Sequence, residues 1–355
     1  ADAAASDARI VLVRDESKTT EELIAELEAD PRVICAEPNY TIEYATSDDE
    51  ALEDAVDAVQ DALDGESGSP DDTRGDGSSS AAVDEADEAG DGGADAASGP
   101  GAASEASEDD GADSVPAWSD ASDLTEFQWE YDNDGTMGGD GSAGVDMGYE
   151  GWNASTGTGS DDVVVAVVDT GVDAANPDLA DKMWNRSDYP EFESYAIAND
   201  LGDEYGYYWS AEGYTSSYAD FPDSTSSHGT HCAGIIAAEW NDSGVSGMSQ
   251  DARIMSVRAT SGLAAILRGY QYIQAAIAYD VPVKVANNSW TLGASQSQLI
   301  SVSITELGKL GVASVFGSAN SATDMDGQAM TAGLLSENPY AVVVDSIDPT
   351  GEMSV

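Results

Sequence analysis

The second half of the chain alternates short apolar runs with longer segments that are apolar on one side only. Short apolar runs predict buried strands, whereas apolar residues at helical spacing predict helices. The predicted strands are 163–168, 252–257, 283–287, 312–316 and 341–347, and the predicted helices are 228–238, 263–279 and 298–310. This alternation is typical of an α/β fold, a parallel sheet with helices on both faces and right-handed crossovers.

A smaller patterned unit occupies residues 8–44 near the start of the chain. It reads as a strand at 9–13, a helix at 20–28 and a second strand at 33–36. We expect Thr20 to cap the helix, because threonine side chains accept hydrogen bonds from the first helical amides. Pro31 ends the helix, since proline cannot continue it.

The segment between the two patterned regions is strongly acidic and low in apolar residues. Residues 46–124 contain 25 of the acidic side chains and one basic side chain, Arg74. A short helix is possible at 48–63, but the rest cannot offset its ordering entropy by burial. The sequence therefore predicts three parts: 1–45, a disordered acidic linker at 46–123, and a folded domain at 124–355.

Composition excludes several functions. A formal net charge of −57 excludes nucleic acid as a partner, because phosphate binding needs clustered Lys and Arg. No apolar run approaches the ~20 residues needed to span a bilayer. Two cysteines in different parts of the chain do not make a disulfide framework.

Two short blocks carry the candidate chemistry. Asp169 ends the apolar run 163–168, and His228 begins the predicted helix 228–238. An Asp at a strand end and a His at a helix start supply two members of a nucleophilic hydrolase triad. A metal site is the alternative, since His231 lies one turn after His228 and Asp169 offers a third ligand.

Asp169-Thr-Gly and His228-Gly-Thr-His, in that order, resemble the signature blocks of the subtilisin-like serine proteases. The resemblance implies the subtilisin-like form of the parallel α/β sheet, incomplete in this chain. Asp169 would then orient His228, and His228 would act as general base. The family's serine on a Gly-Thr-Ser-Met-Ala helix is missing, and Ser289, Ser318 and Ser346 lack that context. We therefore expect a truncated, inactive fragment.

The resemblance also implies further site residues. Asn320 matches the residue that donates to the oxyanion, although Ala319 stands where the family usually has glycine. The peptide-binding strand and the first specificity pocket correspond to Ser289, Trp290 and Gly293. His231 would pack under the site, and Cys232 would be a buried, inert thiol. A structural calcium ion would be held by Asp178 and Asn241. No cofactor is expected for catalysis itself.

Residues 8–44 are similar to the second half of the inhibitor-I9-like propeptide that precedes these proteases, a small α+β unit of ferredoxin-like type. Its tail, 39–44, would be held in the active site and cut first near Tyr44–Ala45. The rival prediction is a single cut near Leu124.

The resemblance implies a secreted or cell-surface bacterial endopeptidase that is made as an inactive precursor. Its partners would be peptide or protein substrates and its own propeptide, with no membrane span in this chain. Two alternatives stay open at this stage. One is a subtilase that processes a dedicated leader peptide, and the other is an inactive pseudoprotease or acidic binding module.

Overall fold

The computed structural model describes residues 13–15, 17–33, 35–40, 43–44, 128–131, 133, 145–147, 159–208, 227–241, 244–259, 262–292, 297–318 and 337–352. Contacts divide the chain into two units, Ala1–Ser47 with Val115–Val355, and Asp48–Ser114. The second unit lies wholly outside the described residues. The predicted linker at 46–123 and the predicted helix at 48–63 therefore stay predictions.

Within the described residues, six parallel strands form one sheet. In chain order they are β2 (Val164–Asp169), β3 (Gly206–Tyr208), β4 (Arg253–Arg258), β5 (Val283–Asn288), β7 (Ala313–Gly317) and β8 (Ala341–Val344). Their order across the sheet is β3-β4-β2-β5-β7-β8. The parallel α/β architecture predicted from the sequence is confirmed, and each strand predicted between residues 163 and 347 is present within a few residues of its expected bounds. The strand predicted at 9–13 lies almost wholly outside the described residues.

Helices cover both faces of this sheet, as predicted. The α-helices of the described residues are α1 (Thr20–Glu28), α2 (Pro190–Ala198), α3 (Ser227–Ala237), α4 (Leu263–Ala278) and α5 (Gln298–Lys309). Those that pack on the sheet are α2 to α5. On one face, α2, α4 and α5 contribute residues to a core that includes Val164, Ala166 and Val168. On the other face, α3 packs Ala233 and Ala237 into a core with Val165 and Val167. The central strand β2 is buried along its whole length, which explains its unbroken apolar sequence.

Sequence reasoning missed α2 and the short edge strand β3. Helix α2 begins at Pro190, a favourable first helical residue. Only Phe192 and Ala196 are buried in it, so its apolar stripe is too narrow to stand out in the sequence.

The N-terminal region differs from its predicted structure in two respects. The cap of α1 is Thr19, not Thr20: Glu22 N donates to Thr19 Oγ1 at 3.2 Å, and Thr19 N donates to Glu22 Oε2 at 3.0 Å. This reciprocal pair satisfies two amides and therefore moves the cap back by one residue. No strand forms at the described positions among 33–36; instead β1 (Glu43–Tyr44) pairs antiparallel with β6 (Trp290–Thr291).

None of the helices in the described part of the chain is long and apolar enough to cross a bilayer.

A half-buried carboxyl group lies in the turn that precedes β3. Asp203 Oδ1 accepts hydrogen bonds from Tyr205 N at 2.9 Å and Gly206 N at 3.2 Å. Burial nevertheless raises the pKa of Asp203 to about 6, and Glu204 adds to the rise while Arg186 opposes it. Desolvation of the charged carboxylate therefore outweighs these hydrogen bonds.

We predict that Asp203→Asn flattens the dependence of stability on pH. Between pH 4 and 6 the folded chain holds a proton on Asp203 that the unfolded chain has lost, so the free energy of unfolding falls as pH rises. The fall is no more than ~3 kcal/mol. Asparagine keeps an oxygen that accepts from the amides of Tyr205 and Gly206 but carries no charge. The variant should therefore be more stable than the unmodified protein at pH 7. Urea unfolding at pH 4 and pH 7 measures this, and an equal pH slope in both proteins would contradict it.

Candidate active site

The first block places a carboxylate at the carboxyl end of the central strand. Asp169 is the last residue of β2 and has no exposed surface. Its Oδ1 accepts a hydrogen bond from Thr170 N at 2.6 Å. The chain then turns sharply at Gly171, whose φ of 112° favours glycine. The carboxylate is thus held in the protein interior by the turn that follows its own strand.

The second block brings a histidine to this carboxylate. His228 is the second residue of α3, and its Nδ1 lies 2.7 Å from Asp169 Oδ1. A carboxylate only accepts hydrogen bonds, so in this pair Nδ1 carries the proton. In the neutral ring Nε2 is then the nitrogen that can take a proton from another group. The His228 side chain is 14% exposed, whereas the Asp169 side chain is fully buried.

The turn that directly follows β2, here called the strand-end turn, can approach α3 closely only because of a glycine. A Cβ added to Gly229 would lie 2.3 Å from Gly171 O and 3.1 Å from the Cβ and Oδ1 of Asp169. Both distances are tighter than normal contacts, and the first is to rigid backbone. The residue after His228 must therefore be glycine for the two blocks to meet.

A thiol completes the cluster around this pair. Ligand atoms of Asp169, His228 and Cys232 lie within 4.8 Å of one another. Burial, reinforced by the Asp169 charge and opposed by a hydrogen bond with Ser289, raises the pKa of Cys232 to about 11. The thiol is therefore a poor nucleophile at neutral pH.

His231 differs from its expected role. It is an exposed residue and does not pack beneath the site. The physical reason is its position on α3, where Ala233 and Ala237 face the core instead. His231 is also not part of the metal-compatible group found among the described residues, so the predicted alternative of a site with both histidines is not borne out.

The predicted peptide-binding strand lies beside this cluster. Ser289 Oγ accepts a hydrogen bond from Asn287 Nδ2 at 3.1 Å. The Trp290 ring is buried edge-on against Phe316, with centroids 5.6 Å apart, so its side chain belongs to the core. Its backbone is what pairs with β1, at Tyr44. Gly293 and Asn320 lie outside the described residues.

A profile of the subtilase family matches residues 160–354, more than half of the chain. The chain belongs to the subtilase family. Asp169, His228 and the whole parallel sheet fall within the matched region.

Curated relatives of this subtilase chain are bacterial proteases. It is 34% identical over 146 residues to fervidolysin of Fervidobacterium pennivorans. This alignment covers 39% of the chain and 17% of the relative. It is 32% identical over 108 residues to thermitase of Thermoactinomyces vulgaris, covering 30% of the chain and 28% of the relative. The chain thus spans well under half of the relatives it matches. The crystal structure of fervidolysin aligns with 25% identity and a TM-score of 0.34, covering 52% of this chain and 24% of that one.

The two candidate metal ligands of this subtilase are brought together. Asp178 Oδ1 accepts from Asn241 Nδ2 at 3.4 Å, and Asp178 Oδ2 accepts from Val245 N at 3.4 Å. A Cβ added to Gly244 would lie 1.9 Å from Asp178 Oδ2, so the backbone at Gly244 approaches this carboxylate closely. The hydrogen bonds are long for a carboxylate, which leaves its oxygens weakly satisfied by the described residues.

Sequence reasoning missed a set of contacts made by the N-terminal segment. Glu37 Oε2 accepts from Ser297 Oγ at 2.7 Å, and Glu37 Oε1 accepts from Leu299 N at 2.9 Å. Asn39 Oδ1 accepts from Ala264 N at 2.8 Å. These acceptors sit at the N-termini of α5 and α4, where helical amides lack internal partners and the helix dipole favours negative charge. The sequence signal for these contacts was the pair of acceptor side chains, Glu37 and Asn39, in Glu-Pro-Asn-Tyr.

We predict that Gly229→Ala separates the two blocks, because its methyl group would overlap Gly171 O. The expected result is a loss of ~2 kcal/mol or more in the free energy of unfolding, as for other overpacked sites. Gly234→Ala in the same helix is the matched control. Its Cβ would have Val245 Cγ2 at 3.8 Å as its nearest contact, so it should be tolerated or slightly stabilising. Thermal unfolding of both variants provides the measurement, and equal effects would contradict the packing argument.

Proposed function

We propose that this subtilase is a secreted bacterial serine endopeptidase made as an inactive precursor. Asp169 orients the imidazole of His228, and His228 is the general base for a serine nucleophile that the 355 residues do not include. The observation that carries the proposal is the 2.7 Å contact between His228 Nδ1 and Asp169 Oδ1. Two features support it further: the buried carboxylate and the partly open imidazole.

In the proposed reaction, the serine attacks the scissile carbonyl while His228 Nε2 takes its proton. Asp169 stabilises the imidazolium that forms. The imidazolium then gives the proton to the leaving amine. Asn320 would donate a hydrogen bond to the oxyanion. It follows β7, which ends at the same edge of the sheet as β2.

Peptide substrates would bind as an added strand beside β6. The antiparallel pairing of Glu43–Tyr44 with Trp290–Thr291 supports this, because it occupies the backbone groups that a substrate would use. Ser289 lies directly before that strand, and Gly293 lies just beyond it. Trp290 would contribute through its backbone, since its ring is buried.

The test of the function uses the full-length protein and a chromogenic peptide. His228→Ala should abolish turnover, and Asp169→Asn should reduce kcat by on the order of 10⁴-fold, because asparagine favours the wrong imidazole tautomer. His231→Ala is the matched control, since it removes the exposed histidine of the same helix and should leave activity nearly unchanged.

The 355-residue chain alone should be inactive, because losing the nucleophile costs on the order of 10⁶-fold in kcat. Normal turnover by folded His228→Ala protein would refute the proposed base. Turnover by the 355-residue chain that a serine-directed inhibitor blocks would show that its nucleophile is one of its own serines.

We further propose that residues 1–45 act as the propeptide and that the first cut falls near Tyr44–Ala45. The support is the contact of Glu37 and Asn39 with two helices, followed by β1 lying along the peptide-binding strand. The downstream segment, which the sequence predicts to be a disordered linker, would be trimmed later, since proteolysis concentrates in such chain.

Mass spectrometry of the full-length protein should detect an early product that begins at Ala45. Glu37→Ala should slow its appearance by ~10-fold or more, because it removes the two hydrogen bonds that this charged group accepts from the start of α5. Glu28→Ala, which removes an exposed carboxylate at the end of α1, is the control. An early product beginning near residue 124, with the linker still attached to the propeptide, would refute this processing order. Detection of the product that begins at Ala45 in the culture medium tests secretion.

We also propose that Asp178 and Asn241 hold a structural calcium ion. Their oxygen atoms are the donors that calcium prefers, and the loop around Gly244 closes on the carboxylate. The ion would stabilise the folded state, without a part in proton transfer.

Calcium at 100 times its Kd should add about 2.7 kcal/mol to the free energy of unfolding. Removing calcium with a chelator should lower Tm accordingly, and Asp178→Asn should abolish most of the difference. Calcium-independent melting of the unmodified protein would rule the site out.

A further inference from the structure

We propose that the hydroxyl groups of Thr170 and Thr230 are positioning groups that hold Asp169 and His228 at their reacting distance. The inference rests on the proposed function, since it assigns roles at the same site. Each threonine belongs to one of the two sequence blocks and makes a hydrogen bond to the backbone of the other region.

Thr170 joins the strand-end turn to the start of α3. It is 7% exposed, and its Oγ1 accepts a hydrogen bond from Gly229 N at 2.9 Å. Its own N–H donates to Asp169 Oδ1. One residue thus contacts the carboxylate on one side and the residue next to His228 on the other.

Thr230 makes the same kind of bond in the opposite direction. Its Oγ1 accepts from Asp173 N at 2.9 Å, so a side chain of α3 holds the backbone of the strand-end turn. The two bonds cross the gap between the blocks in opposite senses. Sliding of the turn along the helix would break both.

The turn is fixed on its other side as well. Val172 N donates to Ser256 Oγ at 3.1 Å, and Ser256 is a buried residue of the neighbouring strand β4. Because β4 is in register with β2 up to the pair Asp169 and Arg258, the turn cannot move away from the sheet. The hydrogen bonds of the two threonines therefore fix α3 in position relative to the rigid sheet.

Thr170 also caps the helix that carries the base. Gly229 lies in the first turn of α3, where amide groups have no acceptor within the helix. Its N–H is buried and donates to a hydroxyl of the Asp169 block, which lies 59 residues earlier in the chain. Valine at position 170 has nearly the same shape but leaves this amide without its acceptor. The structure can compensate for the lost hydrogen bond by a shift of the start of α3. Such a shift moves His228 away from Asp169.

The first test needs no catalysis. Crystal structures of the 355-residue chain with Thr170→Val, Thr170→Ser and Thr305→Val are compared for the distance between His228 Nδ1 and Asp169 Oδ1. Thr305 is the control on α5, since its Oγ1 also accepts an N–H hydrogen bond, here from the side chain of Asn338 at 3.1 Å. We expect the distance to exceed 3.5 Å in Thr170→Val alone. An unchanged distance in that variant overturns the proposal.

The second test measures kinetics in the full-length protein. Thr170→Val should lower kcat by ~10-fold or more with KM unchanged, because small misplacements of a catalytic group cost up to ~10²-fold. Thr170→Ser should restore kcat, whereas Thr305→Val should lower Tm only. Equal kcat in Thr170→Val and wild type contradicts the proposal.

A merely structural role is distinguished by the same set of variants. It would lower Tm in Thr170→Val and Thr305→Val alike and leave kcat of the folded fraction intact. If Thr170→Val does not fold, Thr230→Val supplies both readouts, because its hydroxyl is less buried. A full-length protein that cleaves no peptide refutes the proposed function, while the crystallographic distance still decides the positioning role.

Discussion

The hydrogen bond between Asp169 and His228 is the contact on which the organisation of this chain depends. It joins a carboxylate with no exposed surface to an imidazole that is partly open to solvent. A charged group in the interior is tolerated only when hydrogen bonds replace its water. Here the imidazole and Thr170 N supply those bonds to one carboxylate oxygen. The buried member therefore fixes the position of the member that is placed to exchange protons.

The fold serves this contact in two ways. The fully buried strand β2 carries Asp169 to the edge of the sheet, and the glycine at 229 lets α3 approach that edge closely. The N-terminal segment lies over the same region: Glu37 and Asn39 cap two helices, and β1 pairs with β6. Glu43–Tyr44 thereby takes up backbone groups of β6, the strand beside which we propose that peptide substrates bind.

Sequence reasoning succeeded where the physical signal was local and strong. The apolar run before Asp169 and the wide apolar face of α4 predicted their elements within a residue or two. It failed where the deciding interaction was distant or subtle. The cap of α1 shifted because Glu22 bonds back to Thr19, and α2 buries too few residues to show a pattern. The burial of Trp290 could not be read from its motif, since it depends on Phe316, a residue of a different strand.

The most direct test of the account is covalent labelling of the full-length protein with a serine-directed phosphonate, followed by mass spectrometry of the labelled peptide. The account predicts one labelled serine, outside residues 1–355 as proposed above, and no labelling in the His228→Ala protein. Labelling of a serine within the 355 residues, or equal labelling with and without His228, would contradict the claim that Asp169 and His228 activate a nucleophile supplied from outside this chain segment.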